Sequence, residues 1–438
     1  MFRVFVGAGA PAFETVRASG LLSRLAADGL LLPADPVDPV LAGDLAPSDD
    51  AIVVEQMRVP VVSYPYEWPF EMLRRAALLQ LEILERALAS GFILKDATPY
   101  NIQFLGTRPV FVDLGSFLPY VDGQPWDAYA QFCRTFLNPL LLASATGVAY
   151  QPWLRSSLGG IPPGDLARLL PWRHRLKPTV FIDVLLQAYL QRHFSDIALE
   201  WRKEPPEVPK RTILDRASKL RNAIRRLRRP PADSLWLAYE ETRAYGSAAI
   251  GAKMRVVARA LDAASPHTVL DLGCNRGEYA MAAAERANLV VAVDSDPTVV
   301  DELFLRAEPA RRNILPLVVD VLNPSPDQGW NGGEREGWLS RARADFVLCL
   351  ALLHHLVIGG NVPVRAVAAW LARLAPRGLL EFAPSTDPTV ARMVRGRVYH
   401  AGDYSADGVR AALLDHYGSV RSERLPDSER ILFEFGPA

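Results

Sequence analysis

A chain of 438 residues, half of them hydrophobic, is too long for one ordinary core, so two domains are the expectation. Its 49 basic and 49 acidic side chains cancel, which excludes a global field that would draw it to nucleic acid or to a membrane and leaves only local attraction. Cys133, Cys274 and Cys349 are too scattered for a disulfide framework or a metal site, the start lacks a signal-peptide pattern, and no apolar run reaches about 18 residues, so a cytosolic protein with no metal and no membrane partner is expected.

Residues 1 to 62 mix short apolar runs (3–6, 52–55, 59–63) with Gly, Pro and Asp, as short strands and turns do. Between Pro69 and Ser90 the spacing of Leu73, Ala76, Ala77, Leu81, Leu84 and Ala87 predicts a helix with one broad buried face, ending at Gly91. Two polar turns follow. One, Lys95-Asp-Ala-Thr-Pro-Tyr-Asn101, lies between apolar flanks; the other is Asp113-Leu-Gly115 at the end of a strand from Pro109. The spacing Asp96-x4-Asn101 followed by Asp113-x-Gly115 resembles the catalytic loop and metal-binding turn of kinase-like phosphotransferases. Three positions depart from that pattern. Leu94 stands where the loop histidine would be, no lysine precedes Lys95, and Gly7-Ala-Gly9 is only a stub of a glycine-rich loop. Phosphotransfer, a degenerate kinase-like binding domain and a purely structural pair of turns all remain open here.

Helices are expected over 120–141 and 180–193, with Pro162, Pro163, Pro171 and Pro178 as breaks between them. The aromatics of this region, Tyr64 to Tyr150, read as core. Residues 203–234 are rich in Arg and Lys and flanked by Pro205-Pro206 and Pro230-Pro231. They read as a linker helix between an α+β domain (1–202) and a second domain (235–438), its charges keeping it soluble. A nucleic-acid partner is not expected, because no aromatic is interleaved for base stacking.

After a helix over 236–263 the chain alternates strand and helix. Strands are expected at 268–272, 289–294, 314–320, 345–350, 378–382, 419–424 and 431–435, with helices after Pro297 and from Pro363 to Leu374, predicting a parallel sheet covered on both faces. The first strand runs into Asp271-Leu-Gly273-Cys274-Asn275-Arg-Gly277, a turn whose glycines let a ligand approach the backbone. Asn275 stands where another glycine is usual, and Asn tolerates left-handed geometry best after Gly. The next strand ends in Asp294, placed for a ribose.

These motifs, in order with Val319-Asp320-Val321 and Leu350-Ala-Leu-Leu-His354-His355-Leu, resemble the class I S-adenosylmethionine-dependent methyltransferases. The resemblance implies a doubly wound Rossmann-like α/β sheet, with S-adenosylmethionine as cofactor. It places Asp271, Gly273, Cys274 and Gly277, with Asn275 completing the turn, around the methionine end, Asp294 at the ribose, and Asp320 with Val321 at the adenine. His354 and His355 are candidates to take a proton from the acceptor. No Asn-Pro-Pro-Tyr, Asp-Pro-Pro-Tyr or Pro-Cys motif of nucleic-acid methylating enzymes is present, and the His-His pattern is more similar to small-molecule methyltransferases. The whole-chain arrangement, including Ser63-Tyr-Pro-Tyr-Glu-Trp-Pro-Phe70 and Gln131-Phe-Cys133, resembles a bacterial group labelled nodulation-associated or uncharacterised methyltransferases. A small-molecule or natural-product acceptor is therefore expected, with the first domain aiding its binding. A phosphotransferase using Asp96, Asn101 and Asp113 and a cofactor-binding adaptor are the alternatives; the sequence leaves the oligomeric state open.

Overall fold

The computed structural model describes residues 1–38, 51–193, 207–230, 247–310, 312–395 and 404–438, and the chain divides into two units, Met1–Ala232 and Asp233–Ala438. In the first, β1 (Phe2–Phe5) is followed by α1 (Gly9–Ala18) and α2 (Leu21–Ala27), then β2 (Ala34–Pro36) and β3 (Ile52–Gln56). The three strands form an antiparallel sheet in the order β1-β3-β2. The two helices correct the expectation of strands and turns alone: Gly9 and Pro11 read as breakers, yet the first helical turn has no intrahelical use for its N–H groups and tolerates both. No strand forms at 59–63, where Pro60 lacks a ladder donor.

The predicted long helix is α3 (Phe70–Ala89), entered from Pro69, with Glu71 in its first turn and Arg86 in its last, as the helix dipole favours. Leu73, Ala76, Ala77, Leu81, Leu84 and Ala87 are fully buried on it. Four short strands follow: β4 (Phe92–Leu94), β5 (Ile102–Leu105), β6 (Arg108–Phe111) and β7 (Phe117–Pro119), paired antiparallel as β4 with β7 and β5 with β6. Helical structure then begins at Tyr129 and continues through α4 (Asn138–Thr146). The expected start near 120 is too early, because Gly123 takes φ +86° and Pro125 follows. Of the aromatics read as core, Trp68, Phe104, Trp126 and Tyr150 are buried.

The basic run forms α5 (Lys210–Arg226), and it lies against α3. Ile213, Ala217, Leu220 and Ile224, at helical spacing, are its buried stripe, while Arg216 pairs with the buried Asp183 and Arg221 with Glu85. The charges of this helix thus surround a docked apolar face within the first unit.

The second unit opens with α6 (Ser247–Ala264); the earlier part of the helix expected over 236–263 lies outside the described residues. Then come β8 (Thr268–Leu272), α7 (Glu278–Ala283), β9 (Leu289–Asp294), α8 (Pro297–Ala307), β10 (Ile314–Val318), β11 (Phe346–Cys349), α9 (Val364–Leu374), β12 (Gly378–Phe382), α10 (Ala406–Leu414), β13 (Ser419–Arg424) and β14 (Ile431–Gly436). Seven strands form one sheet in the order β10-β9-β8-β11-β12-β14-β13. Five are parallel, and β14 runs antiparallel to both β12 and β13. β13 thus points the same way as the other five and β14 alone departs from the all-parallel expectation; the short connection 425–430 between the two permits only a hairpin. The strand order reverses between β8 and β11, which opens a crevice at their carboxyl ends. Among the described residues no helix is long and apolar enough to cross a membrane.

Replacing the fully buried Leu220 by Asp places an unpaired carboxylate between α5 and α3, at a cost of several kcal/mol. Limited trypsinolysis is the measurement: the arginines of α5 should be cut slowly in the wild type and rapidly in Leu220→Asp. Equal rapid cutting in both would show the helix undocked.

Candidate functional site

The crevice is shaped by the turn after β8. Gly273, Asn275 and Gly277 take φ of +69°, +49° and +78°. A Cβ at Gly277 would lie 2.3 Å from Leu303, so that position accepts glycine alone. The N–H groups of Gly273 and Cys274 both donate to the Val293 carbonyl at 2.9 Å, and the Asn275 N–H donates to the Asp294 carboxylate at 3.0 Å. The other oxygen of Asp294 accepts from the Asp296 N–H, also at 3.0 Å. One carboxylate at the end of β9 thereby fixes the turn beside it.

A cavity of about 320 Å³ lies over this turn. Asp271, Gly273, Cys274, Asn275, Asp294, Asp320 and Val321 all line it, and Gly277 stands just behind, at the start of α7. Asp271 is buried, and its Oδ2 has no protein partner among the described residues. Burial pushes its carboxyl up to about 7, against the pull of Lys253 and with the push of Asp294. Burial also raises Asp294, opposed by the backbone donors on it. Asp320 is exposed, two residues beyond β10, and accepts from the Leu322 N–H at 3.0 Å.

The adjacent histidines separate. His355 lines the cavity together with Leu350, Leu352 and Leu356. His354 is fully buried and is not part of the lining; neither of its ring nitrogens has a partner among the described residues. Their rings lie 4.3 Å apart. Burial, with His355 and Arg430 adding repulsion, lowers His354 to about 3, and burial with Arg430 lowers His355 to about 4, so both imidazoles are neutral at pH 7.

Lys253 on α6 also lines the cavity, and the sequence reading missed it. Its ammonium is 4.6 Å from the centre of the Tyr279 ring and pairs with the buried Glu381 of β12. Glu381 is bonded in turn to Arg430 at 3.0 Å, and Arg430 to Asp387 at 2.8 Å. Burial alone would raise Glu381, but Lys253 and Arg430 outweigh it and hold the carboxyl at about 2. A signal was present: Ala249, Lys253, Val256 and Ala260 fall on one helical stripe, and a lysine within a buried stripe calls for a partner.

With Glu278 the cavity wall carries four carboxylates and, in Lys253 and Arg276, two cations. That wall suits a ligand of net positive charge with one anionic group. S-adenosylmethionine, with a sulfonium, an ammonium and one carboxylate, meets that description, and the unpartnered buried oxygen of Asp271 is of the right kind for its ammonium.

In the first unit the structure brings the two predicted polar turns side by side. The Asp96 carbonyl accepts from the Ser116 hydroxyl at 3.4 Å, and the Asn101 carbonyl from the Val112 N–H at 2.9 Å. The Asp113 carboxylate accepts from the Gly115 N–H at 3.1 Å and has the Arg3 guanidinium at 3.7 Å.

The family described as methyltransferase domain matches residues 243–409. Across nearly its whole length the chain is similar to the nodulation protein NoeA of Rhizobium meliloti, at 36% identity over 433 residues, 97% of this chain and 90% of that protein. Among solved structures, the N-methyltransferase NodS of Bradyrhizobium japonicum aligns with 44% of this chain and 98% of its own, at 14% identity and a TM-score of 0.31. Magnesium protoporphyrin IX methyltransferase of Synechocystis, with S-adenosylmethionine bound, aligns with 48% of this chain and all of its own, at 19% identity and a TM-score of 0.32. The bifunctional kinase-methyltransferase WbdD covers 45% of this chain and 41% of its own, at 16% identity and a TM-score of 0.32.

Glu381→Gln leaves Lys253 and Arg430 facing a neutral amide and should destabilise the second unit by roughly 3–5 kcal/mol at pH 7 in urea unfolding. Because the folded-state pKa of Glu381 is depressed, its contribution is present above about 4.5 and is lost as pH falls towards about 2. The gap between variant and wild type should therefore close on acidification, and a gap independent of pH would contradict the ionised chain.

Proposed function

The chain belongs to the class I S-adenosylmethionine-dependent methyltransferases, in the family of the nodulation protein NoeA, and from that membership we propose that it methylates a small-molecule or natural-product acceptor, with the first unit helping to bind it. The observation that carries the site assignment is the buried, unpartnered Oδ2 of Asp271 in a cavity also lined by Asp294 and Asp320. The match to NoeA along both units supports a joint role for them. We place the enzyme in the cytosol, a reading supported by three buried, free cysteines.

The cofactor supplies a methyl group on an already activated sulfonium, so the protein has to align, neutralise and exclude water rather than form covalent bonds. In this proposal Asp271 takes the ammonium of the methionine end and Lys253 its carboxylate. Glu381 pairs with the Lys253 ammonium and aims it. Gly273 and Cys274 offer backbone without bulk, Asp294 accepts from the ribose hydroxyls, and Asp320 with Val321 meets the adenine. Leu350, Leu352 and Leu356 keep water from the reacting end. His355, neutral at pH 7, accepts a hydrogen bond or a proton from the acceptor; with a pKa near 4 it is a weak base, which suits an acceptor whose lone pair is already available. His354 supports His355 from behind. Arg3 beside Asp113 puts a fixed cation where phosphotransfer would call for a metal, so Asp96, Asn101 and Asp113 are assigned a structural part.

Calorimetry with S-adenosylmethionine tests the site. The wild type should bind, Asp294→Ala should not, and Lys253→Met should weaken binding by roughly tenfold or more through loss of one charged hydrogen bond. A wild type that does not bind overturns the assignment. Asp271 must be ionised to hold an ammonium, so affinity should fall below about pH 7, at most tenfold per pH unit, and Asp271→Asn should flatten that slope. Isotopically labelled cofactor, incubated with extract of a strain lacking the protein, should label small molecules by one methyl group; label confined to protein or nucleic acid would refute the acceptor class.

A further inference from the structure

The helical run Pro178–Val180, Phe181–Leu186 and Gln187–His193 in the first unit carries more apolar surface than its own packing uses. Val180, Asp183 and Val184 form its buried side. On the opposite side Phe181, Ile182, Leu186 and Tyr189 face solvent, Phe181 being 58% and Tyr189 54% exposed. A helix with apolar side chains on opposite sides buries both when it can, and here the described residues bury the side of Val180 and Val184. The preceding helix Trp172–Arg175 and its exit add Trp172 and Leu176, 76% and 78% exposed. That helix contacts Pro178–Val180, while Pro163–Leu169 contacts Gln187–His193, so these side chains belong to one packed layer. Single exposed apolar residues are ordinary; several on adjoining turns are not.

The exposed, unpaired charges carried by the described residues of 163–193 are basic. Arg168, Arg173, Arg175, Lys177 and Arg192 are all exposed. Two acids occur between 163 and 193: Asp165, paired with Arg168 at 3.2 Å, and Asp183, buried against Arg216. We propose that this face is a docking surface for an anionic phospholipid bilayer, holding the enzyme reversibly at a membrane surface without spanning it. Aliphatic side chains enter the boundary between headgroups and acyl chains, Trp172 and Tyr189 sit at headgroup level with one apolar and one polar end, and the arginines and Lys177 meet lipid phosphates. The charge pattern disfavours the other occupants. A second copy presenting the same face would set like charges against each other. A nucleic acid would satisfy the arginines and leave Leu176, Ile182 and Leu186 in water.

The full-length protein is floated with vesicles of phosphatidylcholine alone and of equimolar phosphatidylcholine and phosphatidylglycerol. It should rise with the anionic vesicles, stay behind with the neutral ones, and be released by high salt. Arg173→Glu with Arg175→Glu, and separately Leu176→Ser with Phe181→Ser, alter exposed side chains and should each lower vesicle binding roughly tenfold or more. Far-UV circular dichroism and the thermal unfolding midpoint of the variants should match the wild type, which reports that the first unit is folded, and their S-adenosylmethionine affinity, a property of the other unit, should be unchanged. No flotation of the wild type at low salt, or binding undiminished in both variants, overturns the proposal. So does a wild-type dimer in light scattering that Leu176→Ser with Phe181→Ser converts to monomer, or retention on RNA with no retention on anionic vesicles.

Discussion

Glu381 stands fully buried between two cations, and the second unit is arranged around that fact. An isolated carboxylate there would protonate or pull water inward. Lys253 from α6 and Arg430 from the connection before β14 prevent this, and Arg430 is shared with Asp387, whose carboxylate also accepts from the Thr389 and Val390 N–H groups at the start of a helix. Lys253, Glu381, Asp387 and Arg430, on four segments, meet in one chain of alternating charge. Its end at Lys253 opens into the cavity, so the network that closes the core also fixes an ammonium at the cavity wall. Such a network is a poor source of net stability compared with apolar packing, and orientation is what it provides in exchange.

The same economy governs the turn after β8. Asp294 spends both oxygens on backbone N–H groups, one in the turn and one in its own loop, so the turn that lines the cavity is held by a residue that also lines it. Three left-handed residues in five positions leave the turn few alternative shapes. A site built this way is formed before the ligand arrives and loses little conformational entropy on binding. In the first unit short strands are stitched by side chains instead: the buried Gln56 amide donates to the Leu32 and Val112 carbonyls, and Gln103 and the Ser63 backbone exchange two hydrogen bonds.

The parts of the chain legible in sequence were those whose constraints are local. Gly273, Asn275, Gly277 and Asp294 announce themselves because positive φ and a strand-end carboxylate are demands of the immediate backbone. Strands β9, β12 and β13 fall at their expected bounds, since an apolar run between turn residues has few other fates. What escaped depended on distant partners. Lys253 acquires meaning from Glu381, 128 positions on, and nothing near it in sequence names that carboxylate. His354 and His355 are indistinguishable as letters; the helical turn they open sends one ring to the cavity and the other into the core. Helices α1 and α2 hid behind glycine and proline, which a first helical turn accepts.

A formal charge of zero turned out to be the least informative number in the sequence. At physiological ionic strength a charge acts over about 8 Å, so a protein meets its ligands through local sums and not the total. Within the second unit the cavity wall gathers four carboxylates against two cations. Within the first, exposed arginines cluster on 168–192, and the two acids of 163–193 are already paired or buried. The first lies in a cavity beside buried apolar side chains, where an unscreened charge counts for most, and the second lies among apolar side chains that face solvent. Equal totals of 49 and 49 describe a chain that has sorted its charges, and the sorting, invisible to composition, is what its surfaces can act on.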